Sequence, residues 1–224
     1  MFEPTDSPTM LEVRLKPHPA SPESPIDTLT VLFERDGLAL WLRFVAEGQM
    51  PEVVWPGPVE PGRADDLWRH SCFEAFVQAD DGYVEYNLSP SGQWATYRFD
   101  DYRRGMRAAD QGAEIMTFEV SPDRAELTGR IALDKGFPPL RSSRRKPGPS
   151  ALGAPASGES SGGGPGQGAP QQNWVPAFAG MSGKKVGLSA VIEAIDGTFS
   201  YWALAHPSDK PDFHHPDSFV LELP

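Results

Sequence analysis

Between Trp68 and Arg98 the chain gathers side chains that together could grip a sugar. Trp68, His70 and Glu74 fall in "DLWRHSCFEAFV", Glu85 and Asn87 in "YVEYNL", and Trp94 and Arg98 in "QWATYRF". An indole ring stacks on the apolar face of a pyranose, while carboxylate, amide and guanidinium groups satisfy its hydroxyls. A plainer reading fits the same letters. Phe73, Ala75 and Val77 alternate as a core-facing edge does, which leaves Glu74 as the wet side of an ordinary antiparallel strand. Spacing alone leaves both readings open.

The elements that must position these residues can be phased from their turns. "FEAFVQADDGYVEYNLSPSGQWATYRFD" contains Asp81-Gly82 and Ser89-Pro90-Ser91-Gly92. A two-residue turn at the first sets Ala79 opposite Val84, Val77 opposite Tyr86 and Ala75 opposite Leu88. On the other face it sets Gln78 opposite Glu85 and Phe76 opposite Asn87. A four-residue loop at the second aligns Asn87 with Trp94, Glu85 with Thr96 and Tyr83 with Arg98. The expected polar face is therefore Glu74, Glu85, Asn87, Trp94, Thr96 and Arg98, joined by Trp68 and His70 if the strand runs back that far. Val84, Ala95, Tyr97 and Phe99 go to the core. A slip of one residue would exchange the two faces.

Most of the remaining text also reads as strand. "TLTVLFERDGLALWLRF" turns at Asp36-Gly37 and pairs Phe33 with Leu40, Val31 with Leu42 and Leu29 with Phe44. "AEIMTFEV" and "RAELTGRIAL" form a second hairpin around Ser121-Pro122-Asp123, and "LSAVIEAIDGTFSYWALAH" a third around Asp196-Gly197. "DSFVLEL" reads as a closing strand, and "YRRGMRAADQ" has room for a short turn of helix. Many short strands with frequent turn signals predict an all-β, antiparallel sandwich of the immunoglobulin-like or jelly-roll type. Residues 138–183 break the pattern. Gly, Pro, Ser and Ala dominate there and apolar periodicity vanishes, which predicts a disordered insertion in a single domain built from 1–137 and 184–224. The end of that stretch, "NWVPAFAGMSG", resembles a translated interspersed repeat found in the reading frames of many alphaproteobacterial genes.

Composition excludes several classes. A net charge of −11 supplies no basic footprint for nucleic acid. Cys72 is the only cysteine, so neither an internal disulfide nor a cysteine-based zinc site can form. The first residues lack the basic start and apolar run of a signal peptide, and no stretch approaches the roughly 20 apolar residues of a spanning helix. These features predict a cytoplasmic protein without membrane or nucleic-acid partners and without a cofactor. His206, His214 and His215 sit in a Pro-rich loop with Asp212 and Asp217, which suits loop stabilisation better than a metal.

The run "DLWRHSCFEAFV…YVEYNLSPSGQWATYRFDDYRRGM", with "GLSAVIEAIDGTFSYWALAHPSDKPDFHHPDSFVLEL" near the end, resembles the DOMON-like proteins related to family 9 carbohydrate-binding modules. The resemblance spans the chain outside the insertion. "MLEVRLKPHPASP" from Met10 is similar to the usual start of these proteins, so the resemblance implies that Met1 to Thr9 is additional. It implies a β-sandwich with a sugar site or, in other branches, a haem site. Trp68 and Glu74 would correspond to the tryptophan and glutamate of the sugar-binding modules. A second aromatic wall near the C-terminus is implied, with Trp202, Phe213 and His214 as its candidates. The function expected is a non-catalytic module for a glycan or other small molecule. The alternatives are a haem- or metal-binding DOMON domain, with Met106 and His70 as conceivable axial groups, and a cell-wall or glycoside-class enzyme using Glu74 and Glu85.

Overall fold

The computed structural model describes residues 10–134 and 183–223. The insertion expected at 138–183 therefore lies, apart from Gly183, outside the described residues. Its flanks are close in space, since Asp134 and Lys184 line one crevice.

The described residues form thirteen strands. In chain order these are β1 (Leu11–Pro17), β2 (Ile26–Asp36), β3 (Ala39–Gly48), β4 (Gly62–Arg63), β5 (Cys72–Gln78), β6 (Tyr83–Leu88) and β7 (Gln93–Phe99). There follow β8 (Arg107–Ala108), β9 (Ala113–Val120), β10 (Arg124–Ala132), β11 (Lys185–Glu193), β12 (Phe199–Ala203) and β13 (Leu221–Glu222). Hydrogen bonding runs β4-β7-β6-β5-β11-β12-β1-β2-β3-β10-β9, with β13 on β11 and β8 on β7. Every pairing is antiparallel except that of β4 with β7. The corner is β1. Its residues Leu11 to Leu15 pair with β2, while Lys16 and Pro17 pair with Ala203 and Trp202 of β12. One sheet thus folds over on itself into two layers, and β9 from one end of the path packs on β7 near the other. The fold is the all-β sandwich that the hairpin pattern predicts.

The core lies between the layers. Leu29, Val31 and Phe33 of β2 alternate inward and meet Leu40, Leu42 and Phe44 of β3, all at most 2% exposed. Each such side chain contributes roughly 1.5–3 kcal/mol through the apolar surface it removes from water. The hairpin turns at Gly37-Leu38, one residue later than expected, with Gly37 at φ +60°. Phe33 therefore faces Leu42 and Val31 faces Phe44. That shift of two in pairing preserves the buried face, as the period of two requires. Across the layers the Phe44 ring lies 4.9 Å from that of Phe73. The β9–β10 and β11–β12 hairpins turn where their sequences predict. The helical turn expected in "YRRGMRAADQ" is absent. Asp101–Arg104 forms a tight turn leading to β8, and Arg103 and Gly105 both have positive φ, which a right-handed helix excludes.

β5 is buried on both faces. Phe73, Ala75 and Val77 enter the interlayer core, whereas Phe76 packs with Tyr83, Ala95, Tyr97, Phe99 and Phe219 in a second, smaller cluster on the outer side of the same sheet. The C-terminal loop covers that outer side. Glu74 is 3% exposed and is not the wet side of a strand.

Candidate functional site

The geometry of the outer face follows from two turns. Between β5 and β6 the chain uses a four-residue connection, Ala79 to Gly82, closed by the Ala79 N–H donating to Gly82 O at 3.0 Å. Glu74 consequently faces Asn87 and Phe76 faces Glu85, two residues from the expected register but on the expected faces. The second turn corrects the reading. Gly92 donates to Ser89 O at 3.0 Å, Ser89 donates to Gln93 O at 2.9 Å, and Gly92 has φ +91°. This is a turn with Pro90 at its second position followed by a left-handed glycine, a three-residue hairpin loop in place of a four-residue one. The odd residue pairs Leu88 with Trp94, Asn87 with Ala95 and Glu85 with Tyr97. Trp94, Thr96 and Arg98 therefore turn to the opposite face, and Ala95, Tyr97 and Phe99 join the carboxylates.

A cleft of about 580 Å³ opens over this outer face, within the range of small-molecule sites, about 300–1,000 Å³. Glu74 and Glu85 enter it from β5 and β6, Phe99 from β7, Val191 from β11, and Phe199 and Tyr201 from β12. Trp68 and Arg69 come from a 3-10 turn, Leu67–Arg69, just before β5. Arg103 and Met106 come from the loop after β7, and Pro211, Phe213 and His214 from the C-terminal loop. Two non-glycine residues in the described chain have positive φ, Asp66 at 62° and Arg103 at 53°. Asp66 launches the turn that presents Trp68, and Arg103 lines the cleft itself. Such conformations cost on the order of 1–3 kcal/mol each and cluster at functional sites. Trp68 is 44% exposed, with the Arg69 guanidinium 5.0 Å from its ring centroid.

The C-terminal loop is fastened by polar contacts. His214 Nδ1 lies 2.7 Å from Tyr83 Oη, and the Tyr83 oxygen accepts from the Arg103 N–H at 3.3 Å, which leaves the phenol proton for the imidazole. Asp212 accepts from Arg103 Nη2 at 2.8 Å and from Tyr102 Oη at 2.6 Å. Burial, with the Arg103 charge beside it, lowers His214 to about 4, so its imidazole is neutral. Burial likewise pushes Tyr83 up to about 12.

Burial is also the first cause for both carboxyls. It raises Glu85 to about 7, against the opposing effects of the Asn87 hydrogen bond and of Arg103. It raises Glu74 well above the usual carboxylate range, and the Glu85 charge adds to the rise. No Arg or Lys among the described residues forms an ion pair with either. A buried, largely protonated carboxyl beside a second one can both donate to and accept from the hydroxyls of a bound molecule.

Of the residues expected from the sequence, Trp68, Glu74, Glu85, Phe213 and His214 line this cleft. Asn87 lies behind them, fully buried, with its Nδ2 donating to Glu85 Oε1 at 2.7 Å. Four residues fall elsewhere. His70 is outside the lining and pairs with Glu193 at 2.8 Å, because the strand begins at Cys72 and its alternation does not extend through the 3-10 turn. Trp94 packs against the interlayer core. Arg98 bonds Asp81 in a separate crevice of about 290 Å³. Trp202 is 3% exposed in the interlayer core, with its indole N–H on Ser200. The aromatics from the C-terminal part of the chain that line the cleft are Phe199, Tyr201 and Phe213. Alternation along "FSYWA" separates Phe199 and Tyr201 from Trp202 and could have shown this. Arg103 and Met106 sit in an irregular loop and had no periodic signal. The three loop histidines disperse. His206 bonds Lys16 O, His214 bonds Tyr83, and His215 accepts from the Asp217 N–H. Among the described residues no helix is long and apolar enough to cross a membrane.

No family model matches the chain, and no curated protein matches it. The fold is similar to that of a "putative carbohydrate-binding protein" from Bacteroides uniformis ATCC 8492, known from a crystal structure at 2.70 Å. The two share a TM-score of 0.54 over 94% of this chain and 84% of that one, with 14% identical residues. At that identity the likeness is one of fold.

Proposed function

We propose that the cleft over Glu74 and Glu85 binds carbohydrate and does not transform it. One observation carries the reading: an exposed indole, Trp68, lines the same cleft as Phe199, Tyr201, Phe213 and two buried carboxyls. Aromatic planes with a few convergent polar groups suit a pyranose, whose faces are apolar and whose rim is hydroxylated. The sandwich fold shared with a protein described as carbohydrate-binding favours the same reading, as does the resemblance of the sequence to DOMON-like relatives of family 9 modules.

Non-catalysis is favoured by the carboxyls themselves. A glycosidase pair works when unlike surroundings keep one group ionised and the other protonated. Here burial is the first cause at both and raises both, outweighing the Arg103 charge that lowers each. We place the protein in the cytoplasm on its sequence features, as part of the same proposal.

A glycan array probed with wild-type protein and with Trp68→Ala tests the reading. The expected result is a defined set of glycans bound by wild type and lost, or weakened at least several-fold, in the variant. A blank array for wild type, or hydrolysis of aryl glycosides that Glu74→Gln abolishes, would overturn it.

A further inference from the structure

Two carboxyls lie beneath an aromatic cleft, and neither forms an ion pair with an Arg or Lys among the described residues; the Arg103 charge acts on both, but its guanidinium is paired with Asp212. Glu74 and Glu85 are 3% and 5% exposed. Glu74 Oε2 accepts from Ser189 Oγ at 3.2 Å, and Glu85 Oε1 accepts from Asn87 Nδ2 at 2.7 Å. Glu85 Oε2 faces the neutral His214 at 3.8 Å, too far for a hydrogen bond. Glu74 Oε1 has no hydrogen bond within the described residues, although its residue lines the cleft.

The other charged groups around the cleft are committed elsewhere. Arg103, on the loop after β7, is held by Asp212 at 2.8 Å, and Arg69, on the turn before β5, is held by Asp66 at 3.2 Å. Glu193, at the end of β11, is held by His70 at 2.8 Å. A neutral sugar asks only for hydrogen-bond partners and leaves both carboxyls protonated. An ammonium group stabilises one of them as the carboxylate through a charge-assisted hydrogen bond and donates to the carbonyl oxygen of the other, still protonated. The faces of Trp68, Phe199, Tyr201 and Phe213 also attract cations through their quadrupoles.

We propose that the cleft is selective for amino sugars with a free, protonated amine, which it seats between Glu74 and Glu85. This rests on the carbohydrate reading and narrows it. Binding then displaces the carboxyl proton to solvent: one positive charge enters with the ligand and one proton leaves. Burial, which holds both carboxyls above their ordinary range in the empty cleft, makes that proton release measurable.

The test is calorimetric titration of the full chain with D-glucosamine, D-glucose and N-acetyl-D-glucosamine at about pH 6.5, where the free amine is charged. Each titration is run in two buffers that differ in ionisation enthalpy. Glucosamine is expected to bind at least about ten-fold tighter than the two neutral sugars. Its heat should differ between the buffers by the amount one released proton dictates, and theirs should not. Glu85→Gln should bring the glucosamine-to-glucose ratio close to one, with a thermal melt confirming that the variant folds. Equal affinities for the three sugars, no proton release, or a preference that survives Glu85→Gln would overturn the inference and leave the carbohydrate reading standing. Failure of all three to bind overturns it too, and the glycan array then decides whether the broader reading survives.

Discussion

Tyr83 on β6 and His214 in the C-terminal loop, 131 residues apart, are joined at 2.7 Å between the phenol oxygen and Nδ1. The same imidazole stands edge-on to Phe76 and Phe99, with ring centroids 5.2 and 5.1 Å away. Together with the Asp212 bonds to Arg103 and Tyr102, that contact holds the loop carrying Phe213 over the carboxyl-bearing sheet. Tyr83→Phe keeps the ring packing and removes the hydroxyl. It should cost about 1 kcal/mol of stability and weaken ligand binding several-fold by loosening the loop. Unchanged affinity in a correctly folded variant would show that the loop needs no such fastening.

Glu85 makes stability depend on pH in a defined window. Its folded value, about 7, lies above its ordinary value of 4.5, so the folded chain holds the proton more tightly than the unfolded one. The stability from this linkage is fully present below about pH 4.5 and is lost as pH rises to about 7. His214 slopes the other way, since its folded value is depressed from 6.5 to about 4. The difference between wild type and Glu85→Gln removes that contribution. Denaturant melts should show Glu85→Gln gaining on wild type from pH 4.5 to 7 and holding its advantage above. A flat difference would mean that Glu85 is ionised at no cost in the folded protein.

Arg98 is the residue on which the turn between β6 and β7 decides most. It lies on the face opposite Glu85 and bonds Asp81. Arg98→Ala should therefore leave glycan affinity within about two-fold of wild type, within the range expected for a surface ion pair remote from the ligand. A loss comparable to that of Trp68→Ala would restore the register in which Arg98 shares the ligand's face.

Val77 supplies the matching control in the core. It is 4% exposed and packs between the layers. Val77→Ala should lower stability by roughly 1–3 kcal/mol through the cavity it leaves and leave affinity unchanged at temperatures where the variant is folded.

Alternation made most of the fold legible, and turn chemistry limited the site. The β2–β3 and β5–β6 hairpins each pair two residues from expectation, yet Leu29, Phe33, Glu74 and Glu85 keep their faces because an even shift preserves side-chain parity. At Ser89-Pro90-Ser91-Gly92 the left-handed glycine closes a loop of three residues where four are expected, and that odd shift puts Trp94 and Arg98 on the face opposite the one expected. Parity also misled at His70, where a 3-10 turn interrupts the strand. Along "FSYWA" parity selects Phe199 and Tyr201 for the cleft and sends Trp202 to the core. Arg103 was beyond reach, since no periodicity marks a loop residue at positive φ.

The indole resonances offer the most direct measurement of the central claim. The chain has six tryptophans, of which Trp68 lines the cleft while Trp94 and Trp202 belong to the interlayer core. A proton–nitrogen correlation spectrum recorded while titrating in the tightest glycan from the array reports on each indole N–H separately, with Trp68→Ala assigning the key peak. The Trp68 resonance should shift progressively and saturate with ligand, while those of Trp94 and Trp202 stay in place. Saturable binding that leaves the Trp68 resonance unmoved, or that moves the Trp94 resonance instead, would contradict the assignment of this cleft as the carbohydrate site.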